Sequence, residues 1–489
     1  MRTLIASVFI TLAVLSAVAM LLVPPRPPPG VTPLLWASGA NPYRPMHIAS
    51  FNALHPELRL QQDSSNNRFE KIIVQTSSGV GPDMFDVLTG SYLQAYVESG
   101  VAWDISPCAA ANGIAADIDT WPAIHDEITY GGRQFGYPAN VGTYLVLYNK
   151  NVFDRFGVPY PEEGSLSWEE FFALLQRVSG TPPGGGAHVW GTNAMSYSGG
   201  APAPIFWKMV FYSRHGEFFS PDGARATIDT EDMRQAFQLH RDALFRHHVL
   251  ASADELGAMT GQGGWGGGAT TQFAEGHFAT VIQSKAAVAG LRGFVEEQKR
   301  LLARWLAEPE RQLREPRPEV LRLGAMMLPH FAGRPFSCGA FSQTVVINRG
   351  SAHRTQALAF LRFLASDAYA RMVEVYGMPG DPRMVRYDYP TTHPELAEHE
   401  LTRGTAESLR LGYQTRKSLF LLDFDVDRVL TEQVARLEVD PSLAVDTLLA
   451  EAQKELDGLL RLNVSRDARL AALHRQLTPA SPAAMNPAP

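Results

Sequence analysis

Among the side chains able to do chemistry, aromatic rings and short polar groups outnumber any catalytic set. Trp207, Trp265 and Tyr144 fall near expected loops or at a junction of strands. Ser38, Asn41, Asp86 and Thr89 stand at or just beyond the carboxyl ends of expected strands. A flat ring can stack on the C–H face of a sugar while amides, carboxylates and hydroxyls bond its rim. Each ring could equally be core, and each polar residue a cap or turn; Trp103, Trp121, Trp168 and Trp305 read more simply as core or surface cover. Sets for other chemistry are incomplete. Gly261, Gly263 and Gly266 satisfy G-x-G-x-x-G, but no βαβ unit precedes them and no acidic residue follows at the right distance. There is no Walker loop and no G-x-S-x-G elbow. His240, His247 and His248 lack the H-E-x-x-H arrangement and read as a solvated helix face. Neither a cofactor nor a metal is expected.

The element that must position these groups is the stretch from Tyr130 to Phe156. Gly131-Gly132 supplies the positive φ of a two-residue hairpin loop. Pro138 has no N–H for a ladder and is expected to end pairing there. Val141 to Tyr148 is an apolar run suited to a strand buried on both faces. Asn149-Lys150-Asn151 then turns into a short helix that Gly157 stops. Two strands therefore meet end to end around Ala139 to Gly142, as a crossing between two lobes would; two ordinary strands of one sheet are the alternative.

Upstream, Thr32–Trp36, Arg59–Gln62 and the strand in Gly81–Gly90 alternate with a helix on which Phe69, Ile72, Ile73 and Thr76 share a face. That rhythm describes an open α/β sheet whose ligands sit beyond the strand ends. Downstream, Ser167 and Glu170 form a capping box. Strands are expected at Val189–Ala194, Phe278–Ile282, Leu323–Leu328 and Phe341–Asn348, and helices at Pro204–Tyr212, Met233–His248 and along Val445 to Leu459. Phe294–Arg322 is a charged, helical excursion, and Leu328–Pro329 a second candidate crossing.

The 489 residues exceed what one core supports, so two lobes are expected. A hydrophobic content of 45% with 19% charged residues is ordinary for a globular chain, and a net charge of −7 argues against a nucleic-acid partner. Residues 1–23 read as a signal peptide or an N-terminal membrane anchor, since Leu4 to Val23 carries no charge. Residues 24–31 form a Pro-rich spacer and residues 471–489 a disordered tail. The working part is expected to be exported. Cys108 and Cys338 are either disulfide-bonded in the oxidising compartment or both free.

Several blocks in order, GPDMFDV, YGGRQFGYPANVGTYLVLYNKNVFDRFGV, SWEEFFALL, FAEGHFATVI, GAMMLPHF and ALAFLRFLASDAYARMVEVYGMPGDPR, make the chain resemble the extracellular solute-binding proteins of ABC importers, the maltose-binding-protein-like family 1. The resemblance covers about Thr32 to Leu460. It implies an α/β, two-lobe periplasmic-binding-protein fold (type II) with mixed sheets, flanking helices and a multi-strand hinge. Lobe 1 would hold residues 32–140 and 329–380, lobe 2 residues 141–328 and 381–470. By position it implies solute contacts from Ser38, Asn41, Asp86 and Thr89, from Gly142, Thr143 and Tyr144 at the crossing, and from Gln283 and Ser284; Trp207 and Trp265 would add stacking surface. Its implied partners are a small-molecule solute and ABC permease subunits in the membrane, with the protein a monomer. Ser284-Lys285-Ala286 stand where an aromatic is often found, and Ala40-Asn41 replace the acidic-basic pair of maltose binders; the solute implied is a carbohydrate or polyol. A polyamine, phosphate ester or metal chelate on the same scaffold is the alternative. An exported hydrolase would need paired carboxylates or a nucleophile with its base, and none stands out.

Overall fold

The computed structural model describes residues 29–478 apart from 40, 66–67, 88–89, 163, 194, 199–200, 253–254 and 257–266. The leader, most of the spacer and residues 479–489 of the tail fall outside that set; the expected disorder of the tail is corrected for residues 471–477, which complete a helix from Ala468 to Leu477.

The strands are β1 (Thr32–Ala37), β2 (Leu58–Asp63), β3 (Met84–Val87), the hairpin β4 (Thr129–Tyr130) and β5 (Arg133–Gln134), β6 (Gly136–Asn149), β7 (Trp190–Asn193), the hairpin β8 (Met195–Ser198) and β9 (Ala201–Pro204), β10 (Phe278–Ser284), β11 (Leu323–Met326) and β12 (Ala340–Ile347). The longer helices are α1 (Arg44–Leu54), α2 (Phe69–Ser77), α3 (Gly90–Glu98), α4 (Lys150–Phe156), α5 (Trp168–Arg177), α6 (Phe206–Ser213), α7 (Glu231–Arg241), α8 (Gly267–Ala274), α9 (Lys285–Ala289), α10 (Leu291–Ala307), α11 (Arg354–Leu364), α12 (Asp367–Val373), α13 (Glu398–Leu411), α14 (Asp423–Val439), α15 (Val445–Arg466) and α16 (Ala468–Leu477).

Eight strands connect along the path β2-β1-β3-β12-β6-β10-β7, with β11 also on β6. The organising strand is β6. Its residues 136–143 pair with β12, and its residues 144–149 pair with β10 and β11. Two half-sheets thus share one backbone, each with helices on both faces. In the first, Trp36, Phe51, Phe360 and Tyr369 pack on one side and Ile72, Phe85, Leu93 and Tyr96 on the other. In the second, Val146, Trp168, Phe206 and Phe237 fill one side and Leu147, Phe273, Val281 and Leu401 the other. A core on each face is what parallel βα units require.

Local signals explain several elements. Gly131 and Gly132 take φ of 58° and 72°, as a two-residue hairpin loop of the expected kind needs. Asn149 caps α4 by accepting from the backbone N–H groups of Asn151 and Val152, and Gly157 ends it at φ 64°. The Ser167–Glu170 capping box opens α5. The expected strand end at Pro138 is corrected: β6 runs straight through it for 14 residues. The pairing register with β12 slips between Gln343 and Thr344, opposite Asn140 and Pro138, so the proline sits at a bulge where its missing N–H is tolerated. The Tyr369 hydroxyl donates to the carbonyl of the skipped residue Ala139 at 2.8 Å. The return passage also differs. It runs from the end of β11 at Met326 to the start of β12 at Ala340, a longer segment than Leu328–Pro329.

Both cysteines are free. Cys338 is buried with the second half-sheet's core and donates to the Ser408 carbonyl at 3.2 Å, whereas Cys108 packs against the core of the first. Among the described residues no helix is long and apolar enough to cross a membrane.

Candidate functional site

Side chains alternate across a strand, so the shared strand presents two different faces. On one, Val141, Thr143 and Leu145 of β6 are fully buried, as are Ser342 and Thr344 of β12. On the other, Asn140 and Tyr144 of β6 and Phe341 and Gln343 of β12 are only half-buried. The antiparallel register places Gln343 opposite Asn140 and Phe341 opposite Gly142, and in the second half-sheet Ser284 opposite Tyr144. Asn140, Gly142, Tyr144, Ser284, Phe341 and Gln343 therefore form one continuous floor where the half-sheets meet.

Polar groups beneath the floor hold it in place. The Asn140 amide donates to Gln343 Oε1 at 3.1 Å, and Gln343 Nε2 donates to Asp86 at 2.6 Å. The other Asp86 oxygen accepts from Trp36 Nε1 at 2.8 Å. Burial pushes the Asp86 carboxyl up, while nearby Arg44 and these donors act in the opposite direction. Asp86, at the end of β3, thus supports the floor through Gln343. Phe341 and Tyr144 stand 5.5 Å apart, tilted at 57°.

At the edge of the floor in the second half, Lys208 of α6 bonds both oxygens of Asp427 of α14, at 2.8 and 2.7 Å. Burial alone would lower the lysine's pKa, but Asp427 more than offsets it, and Tyr212 and Tyr144 act in the same direction. Lys417 pairs with Asp423 at 2.8 Å in the same way. Phe424, beside Asp423, leaves its ring 43% exposed. Opposite stands Tyr92 of α3, whose hydroxyl burial pushes up, aided by the charges of Glu70, Asp425 and Asp423. Phe69 and Tyr92 stack at 5.0 Å. The site thus combines rings with two lysine–aspartate pairs, Lys208–Asp427 and Lys417–Asp423, and with the further carboxylates Glu70 and Asp425 beside Tyr92.

The expected site residues divide. Tyr144, Gly142 and Ser284 lie on the floor, and Asp86 lies one bond beneath it. Asn41 accepts from the Tyr43 N–H at 2.9 Å and shapes the turn into α1, and Ser38 is fully buried at the end of β1. Three placements are corrected. Thr143 faces the other side of β6, where its hydroxyl donates to the Gly339 carbonyl at 2.8 Å. Gln283 lies opposite Leu145 and is buried on that same side. Trp207 is 1% exposed in the core of the second half-sheet, against Phe237 at 6.0 Å, so its ring offers no stacking surface. The reason is helical phase: α6 turns Phe206, Trp207, Val210 and Phe211 into the core and Lys208 toward Asp427. Thr89 and Trp265 lie outside the described residues. Phe341, Gln343, Lys208, Asp427 and Phe424 were not singled out from sequence. For Phe341 and Gln343 the period-2 alternation of Phe341–Asn348 was the available signal.

A groove of about 580 Å³ lies elsewhere, along the outer edge of β2 from Arg59 to Ser65. It is lined largely by that strand and by Leu35, Ile48 and Asn52, with none of the floor residues. The floor is the better candidate because it joins both half-sheets and carries paired charges and rings.

A family model described as bacterial extracellular solute-binding protein matches residues 37–371. No curated protein sequence matches the chain. Among solved structures, the sugar-binding protein MalE from Xanthomonas citri superposes with a TM-score of 0.67 at 15% identity, covering 88% of this chain and 98% of that one. The GacH receptor of Streptomyces glaucescens, solved unliganded and with acarbose, gives 0.63 at 12% identity, over 88% and 99%. UgpB from Mycobacterium tuberculosis, in complex with glycerophosphocholine, gives 0.63 at 17% identity, over 89% and 100%. These likenesses carry the fold, the α/β two-lobe periplasmic-binding-protein architecture. The chain belongs to the bacterial extracellular solute-binding protein family, and is an exported binding protein of the ABC-transporter type.

Proposed function

We propose that this protein binds a carbohydrate or polyol between its two lobes and delivers it to an ABC permease. The observation that carries this reading is the charge balance of the cleft. Lys208 with Asp427 and Lys417 with Asp423 are neutralised in place, while Tyr144, Phe341 and Phe424 leave ring surface beside them. Paired charges bond hydroxyls strongly without demanding an ionised solute, and rings take the C–H faces of a sugar. A phosphate ester would call for an unpaired cation beside these rings, and both lysines are paired.

On this reading the solute contacts are Asn140, Gly142, Tyr144, Ser284, Phe341, Gln343 and Lys208, with Asn41 and Asp86 as supports and Thr89 and Trp265 as further candidates. Lobe 1 holds residues 32–140 and 329–380, and lobe 2 residues 141–328 and 381–470. The leader sends the chain to the periplasm, where it works as a monomer, freed or held at the inner membrane by residues 4–23.

A thermal-shift screen over neutral sugars, polyols, polyamines and glycerophosphodiesters, followed by calorimetry, tests this. A true solute at ~100 times its Kd adds about 2.7 kcal/mol of stability. Stabilisation by sugars or polyols alone supports the reading. Stabilisation confined to polyamines or phosphodiesters, or turnover of a glycoside at enzyme-like rates, overturns it.

A further inference from the structure

Acidic residues outnumber basic ones over the whole chain, 50 against 43, yet its last helical corner is basic. Arg461 and Arg466 at the end of α15, with Arg469 and Arg475 on α16, stand against one acid, Asp467. Asp467 caps α16, accepting from the backbone N–H groups of Arg469 and Leu470 at 2.7 and 3.4 Å. All four arginines are exposed. Among the described residues their guanidinium groups make no ion pair and no side-chain hydrogen bond. Arginines of the neighbouring α14 behave otherwise: Arg428 pairs with Glu432 and Glu455, and Arg436 with Glu451. The unbalanced positive charge is therefore confined to the α15–α16 corner of this helical layer.

The same corner holds a groove of about 230 Å³. Leu419, Phe420, Leu421, Leu422 and Leu470 line it, with Asn463 and Arg466 as its polar members. The Asn463 amide already donates to the Phe420 carbonyl at 3.0 Å. Arg466 is thus the lining residue whose donors remain open. Helical phase keeps the two features together. α16 turns Leu470, Leu473 and Leu477 onto Phe420, Leu460 and Val464, and leaves Arg469, Ala472 and Arg475 on its exposed face. An apolar slot with a cation at its rim, flanked by three more cations, is complementary to an amphiphile with an anionic head. The planar guanidinium matches a phosphate through two parallel bonds, and the leucines suit hydrocarbon.

We infer that the α15–α16 corner docks on the anionic surface of a bilayer, with Arg466 on a phospholipid phosphate and the head-proximal part of an acyl chain in the slot. Charge and slot both favour lipid over free phosphate, which has no use for an apolar groove. The sequence adds a reason for proximity. Leu4 to Val23 is apolar, and the eight-residue Pro-rich spacer after it spans about 25 Å when extended. A chain held by that stretch keeps its body within reach of the surface. Each arginine brought to an anionic surface strengthens the contact about fivefold. The slot is also tied to the cleft: its segment Leu419–Leu422 runs directly into Asp423 and Phe424 at the edge of the floor. Docking by this corner holds that edge near the membrane. The inference does not depend on which solute the cleft takes.

The test places the full chain in vesicles of phosphatidylcholine alone or with phosphatidylglycerol. A polarity-sensitive dye on Ala472→Cys, in a Cys108→Ser background, reports contact of α16 with lipid through quenching by brominated chains; Cys338 is buried and escapes labelling. Quenching is expected in the phosphatidylglycerol vesicles and not in phosphatidylcholine alone. Combining Arg461→Gln, Arg466→Gln, Arg469→Gln and Arg475→Gln should lower the contact population on the order of a hundredfold or more and abolish it. The same loss of charge elsewhere, by Arg300→Gln, Arg304→Gln, Arg314→Gln and Arg317→Gln on the exposed 294–322 excursion, should leave it in place. If the fourfold variant fails to fold by circular dichroism, Arg466→Gln alone replaces it, with about a fivefold loss expected. Absence of quenching with phosphatidylglycerol overturns the inference, as does equal quenching in phosphatidylcholine or equal loss in the excursion control. Inorganic phosphate that binds Arg466 in calorimetry while the vesicles give no quenching also overturns it, and marks a simple anion site.

Discussion

Gly142 lies directly against the Phe341 ring: a Cβ added at Gly142 would stand 2.8 Å from two of the ring's carbon atoms. The register makes the two residues cross-strand neighbours on the floor. The glycine is therefore required for close approach of a ring to the backbone, not for an unusual φ.

Gly142→Ala should push the half-buried Phe341 ring away from Tyr144 and deform the floor. The stability cost should stay within about 1–3 kcal/mol, as for overpacking elsewhere, because the ring edge can move toward solvent. Affinity for the screened solute should fall by more than that cost suggests. Calorimetric titration beside urea melts checks it; an unchanged Kd would remove Gly142 and Phe341 from the site.

Lys208 and Asp427 are each mostly buried, at 21% and 16% side-chain exposure. Lys208→Met should cost about 2–3 kcal/mol, below the full range for a broken buried pair, because some solvent reaches both ends. Lys208→Met combined with Asp427→Leu should recover much of the stability but none of the binding. A double-mutant cycle in urea, with titrations on each variant, separates the two effects.

Trp207→Ala should cost about 3–5 kcal/mol of stability, the range for emptying a large aromatic from a core. Solute affinity, measured below the variant's melting temperature, should stay near that of the wild type. A large loss of affinity in a protein of unchanged melting temperature would restore the ring to the cleft.

Lys285 is buried, and burial lowers its pKa from the usual 10.5 to about 7, against the opposing pull of Glu374 and Glu398. The unfolded chain holds this proton more tightly. Stability from this group therefore rises with pH between about 7 and 10.5, and its burial penalty is constant below that window. The slope from one such group cannot exceed about 1.4 kcal/mol per pH unit. Lys285→Met should lose this part of the pH dependence, seen by comparing urea melts of both proteins from pH 6.5 to 10. Parallel curves would show that the lysine is not the titrating group.

Sequence alone determined what short-range physics controls. Gly131-Gly132 dictated a hairpin loop, Ser167 with Glu170 a helix start, and Asn149 with Gly157 the two ends of α4; none of these depends on distant residues. The alternation of helix and strand signals with two-sided apolar strands was enough for an α/β fold, and the ordered blocks were enough for the family. Only the tertiary structure decided the rest. Pro138 reads as a strand end unless β12 is there to absorb a bulge, and β12 arrives some 200 residues later in the chain. Trp207 and Lys208 are neighbours in sequence, yet which one meets the core depends on how α6 is rotated against α7 and α14. Thr143 and Tyr144 face opposite sides because a strand alternates, and which side is the floor was set by α13 covering the other. A helix face or strand face has a period that a sequence displays; the partner that buries it is chosen by long-range packing, which no local pattern encodes.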